Sequence, residues 1–172
     1  MLMASGANFG FRRTLPHMLG VGIGFVIMVI LVGLGLTQIF DLYPVSYTIL
    51  KTFSILYLLY LSWKIATAAP PSDKEAAGKP FTFLQAALFQ WVNPKAWTMA
   101  LTAISAYAPS QSFASVVWVG LIFGAINLPS VSSWTLLGEQ MKRILTNTKR
   151  LRSFNILMAL LLVASLYPVL EF

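Results

Sequence analysis

Asn93-Pro94-Lys95 is the triplet in this chain with the most to offer chemically. Pro94 has no N–H to give the Gln90 carbonyl, and its ring crowds that carbonyl. Asn93, as the residue before a proline, is pushed out of helical geometry. An apolar helix through this point must kink or break, which frees backbone polar groups. Lys95 sets a cation beside them. If the helix runs on from Phe81, Lys95 lies about 14 residues in, roughly 21 Å along the axis. Free amides at a new helix start and a buried cation together can hold a carboxylate. The other arrangement lays residues 81–92 along a membrane interface. Asn93 then caps the span, Pro94 is its first residue, and Lys95 anchors at the cytoplasmic surface.

Lys51 is a second cation inside apolar sequence, with Tyr47, Thr48, Ser54 and Leu58 as helical neighbours. That partly polar stripe reads as a bundle-facing surface. A central charge costs about 2.5–3.5 kcal/mol on insertion scales, so Lys51 either serves a site or snorkels to the interface. It stands about seven residues, roughly 10 Å, past Pro44. Asn127 and Ser130 share a helix face with Gly120 and Gly124, and Pro129 predicts a kink nearby. That face either lines a pathway or hydrogen-bonds to another helix. The spaced glycines Gly20 and Gly24, and Gly120 and Gly124, are read as close helix packing. His17, next to Arg12-Arg13, is read as an interfacial residue. Trp63, Trp91, Trp118 and Trp134 are read as belt or packing residues.

Asp41, Asp73, Glu75, Glu139 and Glu171 all fall at span ends or in loops, so no carboxylate relay is visible. With no cysteine and one histidine, neither a thiolate metal site nor a disulfide can form. No Ser/His/Asp or metal arrangement supports an intramembrane hydrolase, so no enzyme, metal or cofactor is expected.

These residues must be positioned by apolar helices. Of the 172 residues, 58% are hydrophobic and 10% charged. A soluble domain carries about 25% charged residues, so this chain cannot cover a globule in water. Residues 14–40, 96–138 and 153–170 contain no Lys, Arg, Asp or Glu, and about 20 apolar residues cross a bilayer. The predicted fold is all-α, a polytopic membrane bundle with five spans at 18–40, 43–63, 81–107, 113–136 and 154–170. Asp41 is read as the cap of the second span, with Pro44 in its first turn. Residues 64–80, with Pro70-Pro71, form the hydrophilic loop, and Ala108-Pro109-Ser110 a tight turn. A basic loop separates the last two spans. Residues 1–172 make one transmembrane domain.

Alternating spans give one side Arg12, Arg13, Lys64, Lys74, Lys79, Lys142, Arg143, Lys149, Arg150 and Arg152, and the other side no Lys or Arg. Cytoplasmic loops carry such an excess. The N-terminus is therefore expected in the cytoplasm and the C-terminus outside. The net charge of +7 reads as membrane topology, and no nucleic-acid partner is expected. Gly20-x-x-x-Gly24 and Gly120-x-x-x-Gly124 hint at two inverted halves. The first half lacks a partner for the Pro-broken helix.

The segments Gly6-Ala-Asn-Phe-Gly-Phe-Arg-Arg, Leu50-Lys51 to Tyr57-Leu-Leu-Tyr-Leu, and Val92-Asn93-Pro94-Lys95-Ala96 resemble the LysE/RhtB amino-acid exporters. Trp63-Lys-Ile-Ala-Thr-Ala and Asn155-Ile-Leu-Met-Ala-Leu-Leu-Leu-Val resemble the cysteine/O-acetylserine exporter branch. The resemblance spans the whole chain. It implies efflux of small amino acids or derivatives from the bacterial cytoplasm across the inner membrane. The efflux would be driven by an ion gradient, with a proton as the expected coupling ion and homo-oligomerisation left open. Family members have six hydrophobic segments, the first carrying Pro-Gly-Pro. That element is missing before Met1, so the domain is expected to be N-terminally incomplete. The alternative is a non-transporting truncated remnant or membrane subunit. Relatives often carry an aspartate in their fifth helix, where this chain has Asn127.

Overall fold

The structure is a computed structural model that describes residues 1–68, 79–108, 112–141, 144–145 and 147–167. The described residues are helical, without strands. Helix α1 (Leu2–Phe9) stops at Gly10, whose φ of 80° suits a residue without Cβ. Helix α2 (Phe11–Leu31) runs into a π-helical turn (Val32–Leu36) and then α3 (Thr37–Leu42). Gly35, at φ 98°, makes the kink between them. After Tyr43-Pro44 comes α4 (Val45–Ala66). Helix α5 (Phe83–Phe89) opens with a reciprocal cap. The Gln85 N–H donates to Thr82 Oγ1, and the Thr82 N–H donates to Gln85 Oε1. A 3-10 turn (Gln90–Val92) leads to the break, and α6 (Pro94–Tyr107) follows. Helix α7 (Phe113–Met141) starts where Ser112 Oγ accepts from the Ser115 N–H. Helix α8 (Thr148–Ala164) is capped by Asn147, whose Oδ1 accepts from the Lys149 N–H.

Three helical stretches among the described residues are long and apolar enough to cross a membrane: Phe11–Leu42, Val45–Ala66 and Phe113–Met141. The α5–α6 pair and the 17-residue α8 complete the bundle. Several boundaries differ from the periodicity. The first long helix begins at Phe11 rather than residue 18, with Pro16 inside its opening turns. Asp41 lies within α3 and does not cap α4; its carboxylate accepts from the Tyr47 hydroxyl at 3.1 Å. Pro44 sits at the cap position instead, where its fixed φ leads into the helix. Helix α4 runs to Ala66, so the hydrophilic loop starts later than residue 64. Lys149, Arg150 and Arg152 are in the first turns of α8 rather than in a loop. Pro70-Pro71, Asp73, Lys74, Glu75, Pro109-Ser110, Lys142, Arg143 and the end of the last predicted span lie outside the described residues.

Helix α2 is the centre of the packing. Its Phe25, Met28 and Val29 meet Ala96, Ala100, Ala103 and Ile104 of α6 and Val116 and Val119 of α7. Leu58 and Leu61 of α4 build a second cluster with Phe89 of α5 and Leu166. The opposite stripe of α2, Leu15, Leu19, Ile23, Ile27 and Leu31, is exposed. So are Ile49, Phe53 and Leu56 on α4 and Trp118, Ile122 and Ile126 on α7. Uncharged apolar faces of this extent suit lipid, not water.

Small residues bring these helices together. A methyl at Gly20 would run into the Phe83 carbonyl and one at Gly24 would lie 2.7 Å from the Ala87 Cα, both on α5. Gly120 and Gly124 meet Ile30 and Val26 on another side of α2. Without a hydrophobic drive between helices in lipid, such close backbone approach is what holds a bundle.

Candidate functional site

The break is built by local sequence. Asn93 has φ −97° and ψ 105°, the extended geometry that Pro94 demands. The Gln90 carbonyl, which Pro94 cannot serve, takes the Asn93 N–H at 3.2 Å instead. The Trp91 carbonyl is met by the Trp97 indole N–H at 2.9 Å, across edge-on rings 6.0 Å apart. The Asn93 carbonyl accepts from the Ala96 and Trp97 N–H groups at 2.9 and 3.3 Å. The new helix start therefore spends two of its amides internally. The Lys95 N–H is left without a backbone partner among the described residues. The Asn93 side chain does not cap α6.

Lys95 is exposed on the first turn of α6, while Asn93 and Pro94 are half-buried. Lys51 is half-buried on α4, and Asn127 is half-buried on α7, two residues before Pro129. Among the described residues, none of the side chains of Asn93, Lys95, Lys51 and Asn127 makes a hydrogen bond or ion pair. Packing nevertheless converges on the break. Both α2 and α4 touch the Gln90–Val92 turn, and α6 touches α7. The stripe proposed around Lys51 is split. Ser54 and Leu58 face the bundle, whereas Tyr47 and Thr48 are exposed, because the upper part of α4 diverges from its neighbours.

A second polar region escaped the sequence. Asn8 of α1 and Asn155 of α8 exchange side-chain hydrogen bonds at 3.0 and 3.4 Å across 147 positions. Asn155 is fully buried and also donates to the Ala68 carbonyl at 3.3 Å. Ser5 and Thr14 pair at 3.1 Å, and Thr14 donates to the Gly10 carbonyl at 2.8 Å. Gln90 is buried too, donating to the Ala86 carbonyl. His17 is buried, 3% exposed, and packed on Phe81 with ring centroids 5.1 Å apart. Neither of its ring nitrogens has a partner among the described residues. The signal was present in Asn155, a carboxamide in an otherwise apolar run, but its partner in the short α1 was not predictable. No cluster of His, Asp or Glu able to hold a metal exists among the described residues.

Residues 1–165 match the family described as LysE type translocator. The cysteine/O-acetylserine efflux protein of Escherichia coli (strain K12) is 28% identical over 165 residues, covering 95% of this chain and 83% of the relative. The protein of that name from Salmonella choleraesuis (strain SC-B67) is 30% identical over 167 residues, with the same coverage. No solved structure matches the chain significantly.

Proposed function

The chain belongs to the LysE type translocator family, and from that premise we propose that it exports small, uncharged amino acids or their derivatives from the bacterial cytoplasm. It is a membrane translocator rather than an enzyme. The relatives named for cysteine and O-acetylserine efflux support substrates of that size and zwitterionic character.

The observation that carries the reading is the break at Asn93-Pro94, with the Lys95 amide unspent and its ammonium unpaired among the described residues. A substrate carboxylate would meet Lys95 and that N–H, aided by the positive end of α6. Irregular backbone at membrane depth persists where it lines a polar path or is buried in protein. Lys51 on α4 and Asn127 on α7 are assigned to the same path, where Asn127 would take up or donate a hydrogen bond as the substrate passes. The expected cycle is alternating access about this point, coupled to an ion gradient with the proton as the expected ion. The basic end of the bundle, with Arg12, Arg13, Lys64 and Lys79, would face the cytoplasm of an inner membrane.

The test is counterflow of O-acetyl-L-serine in proteoliposomes holding the full chain. Lys95→Ala and Lys51→Ala are each expected to slow it about tenfold, the loss of one charge-assisted contact. Wild-type rates for both variants would remove these lysines from the site.

A further inference from the structure

The stretch Phe11–Leu42 is held firmly on one side of Gly35 and lightly on the other. Before the kink, Val32 is buried. A methyl at Gly33 would lie 2.6 Å from Val116 Cγ1 and 2.7 Å from Ile104 Cδ1, so the backbone there is pressed against α6 and α7. Beyond the kink, none of the six residues of α3 is buried. Gly35 is required for its conformation rather than its size. A Cβ there would meet the flexible end of the Gln38 side chain at 3.3 Å, but the φ of 98° is one that L side chains rarely adopt. A glycine at positive φ in a π-helical turn, between an anchored and a lightly held segment, has the makeup of a hinge.

Two side chains of α3 reach other helices through ring contacts or hydrogen bonds among the described residues. Phe40 lies between Tyr47 of α4, with ring centroids 5.4 Å apart, and Trp97 of α6, edge-on at 5.2 Å. Asp41 accepts from the Tyr47 hydroxyl. Both ring spacings are attractive, within about 4.5–7 Å. Trp97 in turn stands edge-on to Trp91 and gives its indole N–H to the Trp91 carbonyl. The row Tyr47, Phe40, Trp97, Trp91 therefore runs from α3 to the break, and its last link is a hydrogen bond to a carbonyl just ahead of Pro94. With Phe40 on one side and Trp91 on the other, the indole is held in the orientation that serves this carbonyl. Without Phe40 the indole gains rotamer freedom, and the carbonyl loses its donor part of the time.

We propose that α3 is a strap hinged at Gly35, and that Phe40 is a positioning residue that holds the Asn93-Pro94 break in its ligand-ready shape through Trp97. With Phe40 seated, the Trp91 carbonyl is satisfied and the first turn of α6, which carries Lys95, keeps its place. When the strap swings off about Gly35, that turn loosens and its affinity for a carboxylate falls. A ligand at Lys95, two residues from Trp97, favours the seated strap because it binds that state more tightly. The role in transport rests on the export reading above; the strap and its hold on the break do not.

Amide hydrogen exchange followed by mass spectrometry, on the full chain in lipid nanodiscs, reads the break directly. Phe40→Ala is expected to speed exchange over residues 91–97 about tenfold, while residues 116–124 of α7 exchange as in the unaltered chain. Gly35→Ala opposes the φ of the hinge and is expected to speed exchange over 91–97 from a position on another helix. Phe40→Tyr keeps the ring and is expected to restore slow exchange. In proteoliposomes, Phe40→Ala is expected to raise the KM for O-acetyl-L-serine counterflow about tenfold, with the maximal rate within about twofold, because only the fraction with the strap seated binds well. Phe40→Tyr should transport as the unaltered chain does. Exchange over 91–97 unmoved by both Phe40→Ala and Gly35→Ala overturns the strap, and so does equal acceleration in α7, which reports general loosening. Faster exchange at the break with an unchanged KM overturns its role in ligand binding. If the unaltered chain gives no counterflow, the export reading falls and the exchange rates still decide the strap.

Discussion

The Asn93-Pro94-Lys95 break and the Asn8–Asn155 seam are both polar regions in an apolar bundle, yet they are built on opposite terms. At the break, the groups that bond are backbone carbonyls and the Trp97 indole, while the Asn93 and Lys95 side chains stay unengaged among the described residues. In the seam, the side chains themselves are joined, and Asn155 is fully buried. A carboxamide pair held in this way ties α1 to α8 and serves stability. Free donors next to broken backbone are free to meet something else. Between the two lies His17, buried like the seam but unpartnered like the break. Burial and satisfaction together, rather than polarity alone, separate structural polar groups from those open to a ligand.

The contrast can be broken most severely at Gly20. Gly20→Val drives a side chain into the Phe83 carbonyl and Ala86 of α5, the helix that leads to the break and follows Phe81. Overpacking costs typically 1–3 kcal/mol and occasionally more, and here the obstacle is backbone. Loss of the monodisperse peak in fluorescence-detected size exclusion is expected, with both regions lost together. Next comes Asn155→Leu, which takes the donor from Asn8 Oδ1 and the Ala68 carbonyl, while Asn8 Nδ2 keeps its bond to the Ala4 carbonyl. A cost of about 1–3 kcal/mol is expected as a lowered unfolding midpoint in detergent. The double variant with Asn8→Leu should recover part of it, since removing both partners is milder than removing one. If Asn155→Leu leaves the midpoint unchanged but stops export, the seam belongs to the transport path and the contrast fails.

Trp97→Phe sharpens the comparison from the other side. It keeps the aromatic contact with Trp91 but deletes the N–H to the Trp91 carbonyl. About 0.5–1.5 kcal/mol of stability should go, and export should fall as the break loosens. The smallest stability effect is expected at the exposed Lys95. Lys95→Ala should move the unfolding midpoint by no more than about 0.5 kcal/mol while still slowing counterflow. A large stability loss there would show that Lys95 is structural.

The legible part of the molecule is the part set by local chemistry. Long apolar runs, the glycine spacing and the Pro94 break can all be read along the chain, because helix formation and proline exclusion act over a few residues. The Thr82–Gln85 cap and the Asn147 cap are equally local. Other features were illegible for a physical reason. Helix α1 is too short to declare itself by period and exists through its packing on α7, where Gly6 and Gly138 let the backbones meet. The stripe around Lys51 looked uniform because periodicity does not show that Ser54 and Leu58 are buried while Tyr47 and Thr48 are exposed. The burial of His17 was illegible because its neighbours in sequence are Arg12 and Arg13, whereas its neighbours in space include Phe81.

The sequence by itself determined that this chain is a helical membrane protein with a helix broken at Asn93. Those properties follow from the cost of placing charge and unpaired backbone in hydrocarbon, which is paid residue by residue. Only the tertiary structure decided that Asn8 meets Asn155 and that His17 is buried with no partner among the described residues. Each of these depends on which helix faces which, and non-local packing carries no fixed spacing that a linear chain could display.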